Sequence, residues 1–351
     1  MKKLKIFFII FLCLLIILLI GGIFVVNNGL KVNNLSEETT INIDSDMAAK
    51  EVFDELEEVG AINNSNIAYY YSRLFHASDF KAGSYYLPSD VEMAELIDYL
   101  SDADNAIKNT VMITFIEGDW LQDFANKFAE STSLSSDELM AYWDDREVVA
   151  GYIEEYEFLT EDILAEGVRH PLEGYFFPDT YEFYIETTPE DVTRRLLDQT
   201  DAIYQKYKED FDNSVYSIHE VFTLASIIQY EASAYEDMKD VSGVFHNRLN
   251  DGMLLQSSVT VCYAIDIEPD EDWVACETNS DYDDPYNTYM YEGLPPGPIL
   301  NPGENAIEAA LNPNDNDYYY FIGDVCGDGA VHFASTLEEH NQNVEEYLWC
   351  Y

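Results

Sequence analysis

The sequence predicts an α+β protein, mostly helical, behind an N-terminal membrane-spanning helix. Three observations carry that expectation. Apolar residues recur at helical spacing through much of 46–58, 92–100, 119–166 and 188–250. β-Branched and aromatic runs are few and short, as in Gly83–Leu87 and Val111–Ile116. Ile6–Val26 contains 21 residues and no charge, enough at about 1.5 Å per residue to cross a hydrocarbon core of roughly 30 Å.

From the N-terminus, Lys2, Lys3 and Lys5 precede that apolar run and favour a cytoplasmic tail, residues 1–5. A cleaved signal peptide is the competing reading. Its apolar region normally spans about 7–15 residues and ends at a small-x-small site, whereas Gly21-Gly22 is followed by more apolar chain. A retained anchor over 6–26 is therefore expected at the plasma membrane, with everything after Val26 outside. Residues 27–44 are polar without helical period and read as a linker.

A small module is expected over 45–110. Met47, Val52, Phe53 and Leu56 share one face of a helix that Gly60 stops. Ser89 and Glu92 form a capping box for a helix carrying Met93, Leu96, Ile97 and Leu100. Residues 111–351 make the larger unit, with a strand at 111–116 and helices near 119–130, 135–145, 147–157 and 160–166. Thr188-Pro189-Glu190-Asp191 combines a cap, a first-turn proline and two acids, and opens a helix to about Lys208. Further helices are expected near 218–234, 238–250 and 336–348, separated by a stretch rich in Pro, Gly, Asn and Tyr.

Charge narrows the function classes. Seventeen Lys and Arg against 68 Asp and Glu give a formal net charge of -51, so no basic surface exists to hold nucleic acid phosphates. Cys262, Cys276, Cys326 and Cys350 would lie outside the membrane, where disulfides are permitted. Four cysteines allow three pairings, and spacing does not choose among them. No C-x-x-C, H-E-x-x-H, G-x-S-x-G or phosphate-loop pattern occurs. Asp315-Asn-Asp317 lacks the glycine and distal glutamate of a calcium loop. No metal or cofactor is expected.

The helix around residue 228 holds the anomaly. At about 100° per residue, Val221, Leu224, Ile227 and Ile228 share a face, and Glu231 falls in the middle of it. A carboxylate there is at least partly desolvated, which raises its pKa and equips it as a general acid. The bland alternative is a glutamate just past the buried turn, reaching solvent or Arg248. Around this helix stand segments whose prolines and glycines constrain the backbone: Leu172–Tyr181, Tyr286–Tyr289, Gly293–Ile299 and Asn301–Gly303. Their tyrosines and asparagines suit a groove for a polar ligand with apolar faces, such as a sugar.

Leu224-Ala-Ser-Ile-Ile-Gln-Tyr-Glu-Ala232, Val244-Phe-His-Asn-Arg-Leu249 and Gly252-Met-Leu-Leu-Gln256 resemble the MltG/YceG family of membrane-anchored endolytic murein transglycosylases. The loops above match the same family in the same order, as do Asp328–Phe333 and Glu339-His-Asn341. The resemblance runs from about residue 45 to the end. It implies a LysM-like first module and a catalytic domain whose key helix is similar to that of lysozyme-like transglycosylases.

It also implies cleavage of MurNAc–GlcNAc bonds in nascent peptidoglycan strands without water, leaving 1,6-anhydroMurNAc ends and trimming or terminating strands beside the peptidoglycan synthases. The general acid, then base, is Glu231 by this resemblance. Gln229 stands where the family is often acidic. Gln256, Tyr286, Asn287, Thr288 and Tyr289 would line the glycan groove, with Ser226 near it or else bonding a backbone carbonyl of its own helix. Where the family often has Asp-Pro before Thr-Val, this chain reads Gln256-Ser-Ser-Val-Thr-Val261. Glu173 and Asp179 are the nearest candidates for a second carboxyl, although shaping their own loop is the favoured reading for both. The alternatives are a glycan-binding scaffold of the wall-synthesis machinery and a two-carboxylate hydrolase.

Overall fold

A computed structural model describes residues 2–35, 39–44, 47–89, 91–107, 109–267, 269–324, 327 and 329–347, without the side chains of 2–11, 13, 14, 17 and 269–272. The chain divides into two compact units, Met1–Lys108 and Asn109–Tyr351, both mixed α and β with the helices dominant.

The first unit runs α1 (Lys2–Gly29), β1 (Thr40–Ile43), α2 (Ala49–Glu58), α3 (Ser65–Phe75), β2 (Gly83–Tyr86) and α4 (Met93–Leu100). Among the described residues no helix is long and apolar enough to cross a membrane. The expected span 6–26 falls in part on side chains outside that description. The end of α1 is tied down: Asn63 Nδ2 donates to the Asn28 carbonyl at 2.9 Å, and the Asn33 N–H donates to Ala61 O at 2.8 Å.

Residues 27–44, expected as a linker, thus contain docked chain and a strand. Thr-Ile-Asn-Ile alternates exposed and buried positions, and β1 pairs antiparallel with β2 with Ile41 opposite Tyr85. Four residues are too few for a period to stand out in sequence. The core of this unit joins Phe53, Leu56, Tyr85, Leu96 and Leu100. The capping box of α4 also lies three residues later than expected: the Glu92 N–H donates to the Glu95 carboxylate at 3.0 Å.

The second unit runs β3 (Thr110–Thr114), α5 (Leu121–Ser131), α6 (Ser136–Asp144), α7 (Arg146–Ile153), β4 (Thr180–Tyr184), α8 (Pro189–Lys206), α9 (Lys208–Asn213), α10 (Ile218–Glu231), α11 (Tyr235–Asn250), α12 (Ser258–Ala264), α13 (Pro269–Thr278), α14 (Glu304–Leu311), β5 (Tyr320–Gly323), β6 (Val331–Ala334) and α15 (Leu337–Tyr347). Antiparallel ribbons form between β3 and β4, with Ile113 opposite Tyr181, and between β5 and β6, with Phe321 opposite Phe333. The expected 160–166 helix shrinks to a 3-10 turn, Glu161–Leu164. As the sequence predicts, Thr188 caps α8, its hydroxyl accepting the Asp191 N–H at 3.2 Å.

Aromatic rings fill the core beneath these helices. Phe115 stacks on Phe124 at 4.0 Å, and buried Trp143 donates Nε1–H to Thr193 Oγ1 at 2.8 Å. At the centre lies α10, in which every residue from Val221 to Ile228 is buried. A helix enclosed on all sides must be apolar all round, and this run supplies only small polar groups, Thr223 and Ser226.

One glycine sets how closely two motif loops approach. Gly174 has φ +81°, and a Cβ there would lie 2.2 Å from Pro298 Cβ. Gly174→Ala therefore combines overpacking with left-handed backbone strain, a cost of about 3 kcal/mol. It should lower the thermal midpoint of this unit by roughly 10 °C, read by calorimetry. An unchanged midpoint would mean the loops are not in contact.

Candidate active site

The buried helix α10 is fixed at both ends, and this positions its last residue, Glu231. At the N-terminus Ser217 and Glu220 form a reciprocal capping box. His219 then locks two loops: Nε2–H donates to Pro296 O at 2.8 Å, while Nδ1 accepts the Tyr175 hydroxyl at 2.8 Å. Since Pro296 O can only accept, that tautomer is the neutral one consistent with both bonds. Ser226 donates to Thr223 O at 2.7 Å and accepts the Ile299 N–H at 3.1 Å. Ser226 is therefore a buried structural hydroxyl and takes no place in the groove. Gln229 accepts the Gly303 N–H at 2.9 Å, holding the start of α14.

Glu231, half-buried, opens into a cavity of about 920 Å³. Its lining includes Tyr230, Gln256, Ser258, Trp273, Glu277 and Tyr289, together with Arg248, the β5 strand and α15. The Ser257 hydroxyl donates to Glu231 Oε1 at 2.5 Å. Burial raises the Glu231 pKa above the ordinary carboxyl value. The Ser257 hydrogen bond and the Arg248 charge oppose that rise without cancelling it. Arg248 is spent mainly on carbonyls, donating to Tyr319 O and Leu255 O, each at 2.6 Å. The expected desolvated carboxylate is thus present, oriented by one hydroxyl and facing an open cleft.

The six expected site residues divide. Gln256 lines the cleft, exposed and with φ 51°, its N–H donating to Thr288 O at 3.1 Å. Tyr289 also lines it, its hydroxyl 3.2 Å from Ser258 Oγ. Tyr286, Asn287 and Thr288 are buried and lie outside the cleft lining. Asn287 Nδ2 donates to Tyr282 O at 2.7 Å, and Thr288 Oγ1 accepts the Ser257 N–H at 3.0 Å. The Tyr286 hydroxyl accepts the Arg169 N–H at 3.2 Å. These three fold the loop that presents Gln256, Ser257 and Tyr289.

Sequence reasoning missed Ser257, Tyr230, Trp273, Glu277 and Tyr320 as members of the site; His340 lines the cleft as well. His340 had a signal, since it sits in the quoted Glu339-His-Asn341; it stacks on Tyr320 at 5.3 Å. Ser257 stood beside Gln256 in the same motif. The cysteine pairing left open is partly resolved, because Cys262 and Cys276 form a disulfide joining α12 to α13. Cys326 and Cys350 lie outside the described residues.

Neither candidate second carboxyl lies in this cleft. Asp179 is a loop residue accepting the Thr180 N–H at 2.7 Å. Glu173 is buried in a separate pocket with Trp120, Arg169 and Tyr263. It accepts the Leu121 N–H at 2.9 Å and the Asn301 amide at 3.4 Å, and Asn301 in turn accepts the Phe176 N–H at 3.0 Å. Glu173 thus ties the start of α5 to two motif loops. The one other carboxylate lining the Glu231 cleft among the described residues is exposed Glu277, which accepts Trp273 Nε1–H at 2.8 Å.

The YceG-like family model matches residues 41–346. The chain is 34% identical over 336 residues to an endolytic murein transglycosylase of Bacillus subtilis (strain 168), covering 94% of this chain and 91% of the relative. It is 31% identical over 364 residues to another of Streptococcus pneumoniae serotype 2 (strain D39 / NCTC 7466), covering 98% of this chain and 65% of that protein. The crystal structure of a yceG-like protein from Listeria monocytogenes superimposes with a TM-score of 0.62 at 32% identity, covering 88% of this chain and 99% of that one.

Burial pushes the Glu173 pKa up to about 8. Between the ordinary carboxyl value and that value the folded state holds a proton that the unfolded state has lost, so stability falls as pH rises, by about 1.4 kcal/mol per pH unit at most. Glu173→Gln should remove that slope: in urea unfolding its stability relative to wild type should improve from pH 5 to pH 8. A relative stability independent of pH would show that Glu173 is ionised throughout.

Proposed function

The chain belongs to the YceG-like family, and we propose that it is an endolytic murein transglycosylase in which Glu231 serves as both acid and base. The observation that carries this reading is a half-buried carboxyl with a raised pKa, held by the Ser257 hydroxyl at 2.5 Å in an aromatic-lined cleft. Protonated Glu231 gives its proton to the glycosidic oxygen between MurNAc and GlcNAc as the C1–O bond breaks. The resulting carboxylate then takes the proton of the MurNAc C6 hydroxyl as O6 bonds to C1. Water takes no part, the enzyme returns to its starting protonation state, and the product ends in 1,6-anhydroMurNAc. One carboxyl suffices because the nucleophile belongs to the sugar.

Glu277 gives a specific ground for the hydrolase alternative, since it lines the same cleft. A pair of carboxyls at suitable separation can activate water or form a glycosyl-enzyme. Glu277 is exposed and accepts the Trp273 indole N–H, which suits it less to that task than Glu231.

We further read Ile6–Val26 as a single membrane span with the N-terminus cytoplasmic, on the strength of its 21 uncharged residues and the three lysines before it. An anchor would keep the enzyme where new strands emerge beside the peptidoglycan synthases. The first unit, with its two-stranded antiparallel sheet and helices, supports a LysM-like glycan-binding role.

Full-length protein incubated with un-crosslinked glycan strands should yield internal fragments with anhydro ends by mass spectrometry, and Glu231→Gln should yield none. Ends carrying an added water would replace the transglycosylase reading with hydrolysis, and strand binding without cleavage would favour the scaffold.

The pH profile gives a second check. Activity that needs protonated Glu231 falls as pH rises through its pKa. Ser257 stabilises the charged form, so Ser257→Ala should move the falling limb of the kcat/KM profile to higher pH. A limb that stays in place or moves down would remove Ser257 from the mechanism.

A further inference from the structure

The helix α13 lines part of the cleft. Among its described side chains the only fully buried one is Cys276. That cysteine is bonded to Cys262 of α12. Residue 258, the first of α12, immediately follows Ser257, the hydroxyl that orients Glu231. Besides the main chain between them, this cross-link ties the α13 wall to the helix that begins beside the hydroxyl orienting Glu231.

This wall presents Trp273. The indole is 37% exposed, an unusual state for the largest apolar side chain, and it borders the cleft. It lies nearly parallel to Tyr230, with 15° between planes and 6.0 Å between centroids. Its N–H is fixed on Glu277 at 2.8 Å. Tyr230, Trp273 and Glu231 all line this cleft, so the stacked pair shares the cavity with the carboxyl. A rigid indole held by a hydrogen bond and a ring partner loses little freedom on binding, and its face offers apolar area to the C–H face of a pyranose.

We propose that Trp273 is a saccharide-stacking residue of this cleft, and that the Cys262–Cys276 disulfide holds it in register with Glu231. Strand affinity then depends on the oxidation state of that pair. The inference rests on reading the cleft as a glycan site but does not require that the glycan be cleaved. Reduction by a dithiol reagent, itself oxidised to a disulfide, adds two electrons and two protons, gives two thiols, and leaves α13 without its cross-link to α12.

The test measures binding of un-crosslinked glycan strands to the full-length Glu231→Gln protein by calorimetry and by tryptophan fluorescence, with cleavage kinetics followed separately on the otherwise wild-type chain. Trp273→Ala should weaken binding roughly tenfold, the upper end of what one aromatic contact contributes. It should raise KM more than it lowers kcat and abolish the strand-induced change in fluorescence. Trp273→Phe should bind within a few-fold of the parent, because a stacking face remains. Treatment with dithiol should weaken binding to a comparable extent in the parent and have no further effect on Cys276→Ser.

Unchanged affinity in Trp273→Ala overturns the stacking role, and unchanged affinity on reduction overturns the role of the disulfide. If strands bind through Trp273 and the wild-type chain never cleaves them, the enzymatic reading fails and this one stands. If the wild-type chain cleaves and Trp273→Ala matches it in KM and affinity, this inference alone fails. If strands do not bind at all, both fail.

Discussion

The enclosure of α10 is the constraint on which the rest of the larger unit depends. Eight consecutive residues, Val221 to Ile228, are buried, and three of the polar groups on the helix serve loops packed around it. His219 takes Pro296 and Tyr175, Ser226 takes Ile299, and Gln229 takes Gly303. The segments that look like separate glycine and proline motifs in the sequence are therefore parts of one cage. Because the cage holds α10 along its length, Glu231 at its last turn is delivered to the cleft with its backbone already fixed.

Two glutamates show what that enclosure does to a carboxyl. Burial raises the pKa of both Glu173 and Glu231, yet their surroundings assign them opposite uses. Glu173 receives a backbone N–H and an amide and joins α5 to the Asn301 loop. Glu231 has one hydroxyl donor and otherwise faces the cleft. A raised pKa alone does not identify a catalytic group; a raised pKa beside open space, with a single orienting partner, does so far better.

Legibility followed the range of the interactions. The apolar face of α10 with Glu231 in it, and the Thr188-Pro189 start of α8, are local patterns, and both appear in the structure as read. What depends on distant partners was not readable. The strand at Thr40–Ile43 exists because Gly83–Tyr86 lies beside it. Tyr286, Asn287 and Thr288 look like ligand-binding residues because they are polar and aromatic, but each spends its polar atoms on the protein. Glu277 and Trp273 line the cleft from α13, which is cross-linked to α12, and cysteine spacing could not choose that pairing. The acidity of the chain has no account in any of these contacts.

The central claim is that burial keeps Glu231 protonated above the pH at which an ordinary glutamate ionises, so that it can act first as an acid. The direct measurement is a pH titration of the Glu231 carboxyl by NMR in protein carrying 13C-labelled glutamate side chains, with Glu231→Gln identifying the resonance. The account predicts a midpoint clearly above the ordinary glutamate value. A midpoint at or below that value would contradict it, since Glu231 would then enter the reaction already ionised and have no proton to give.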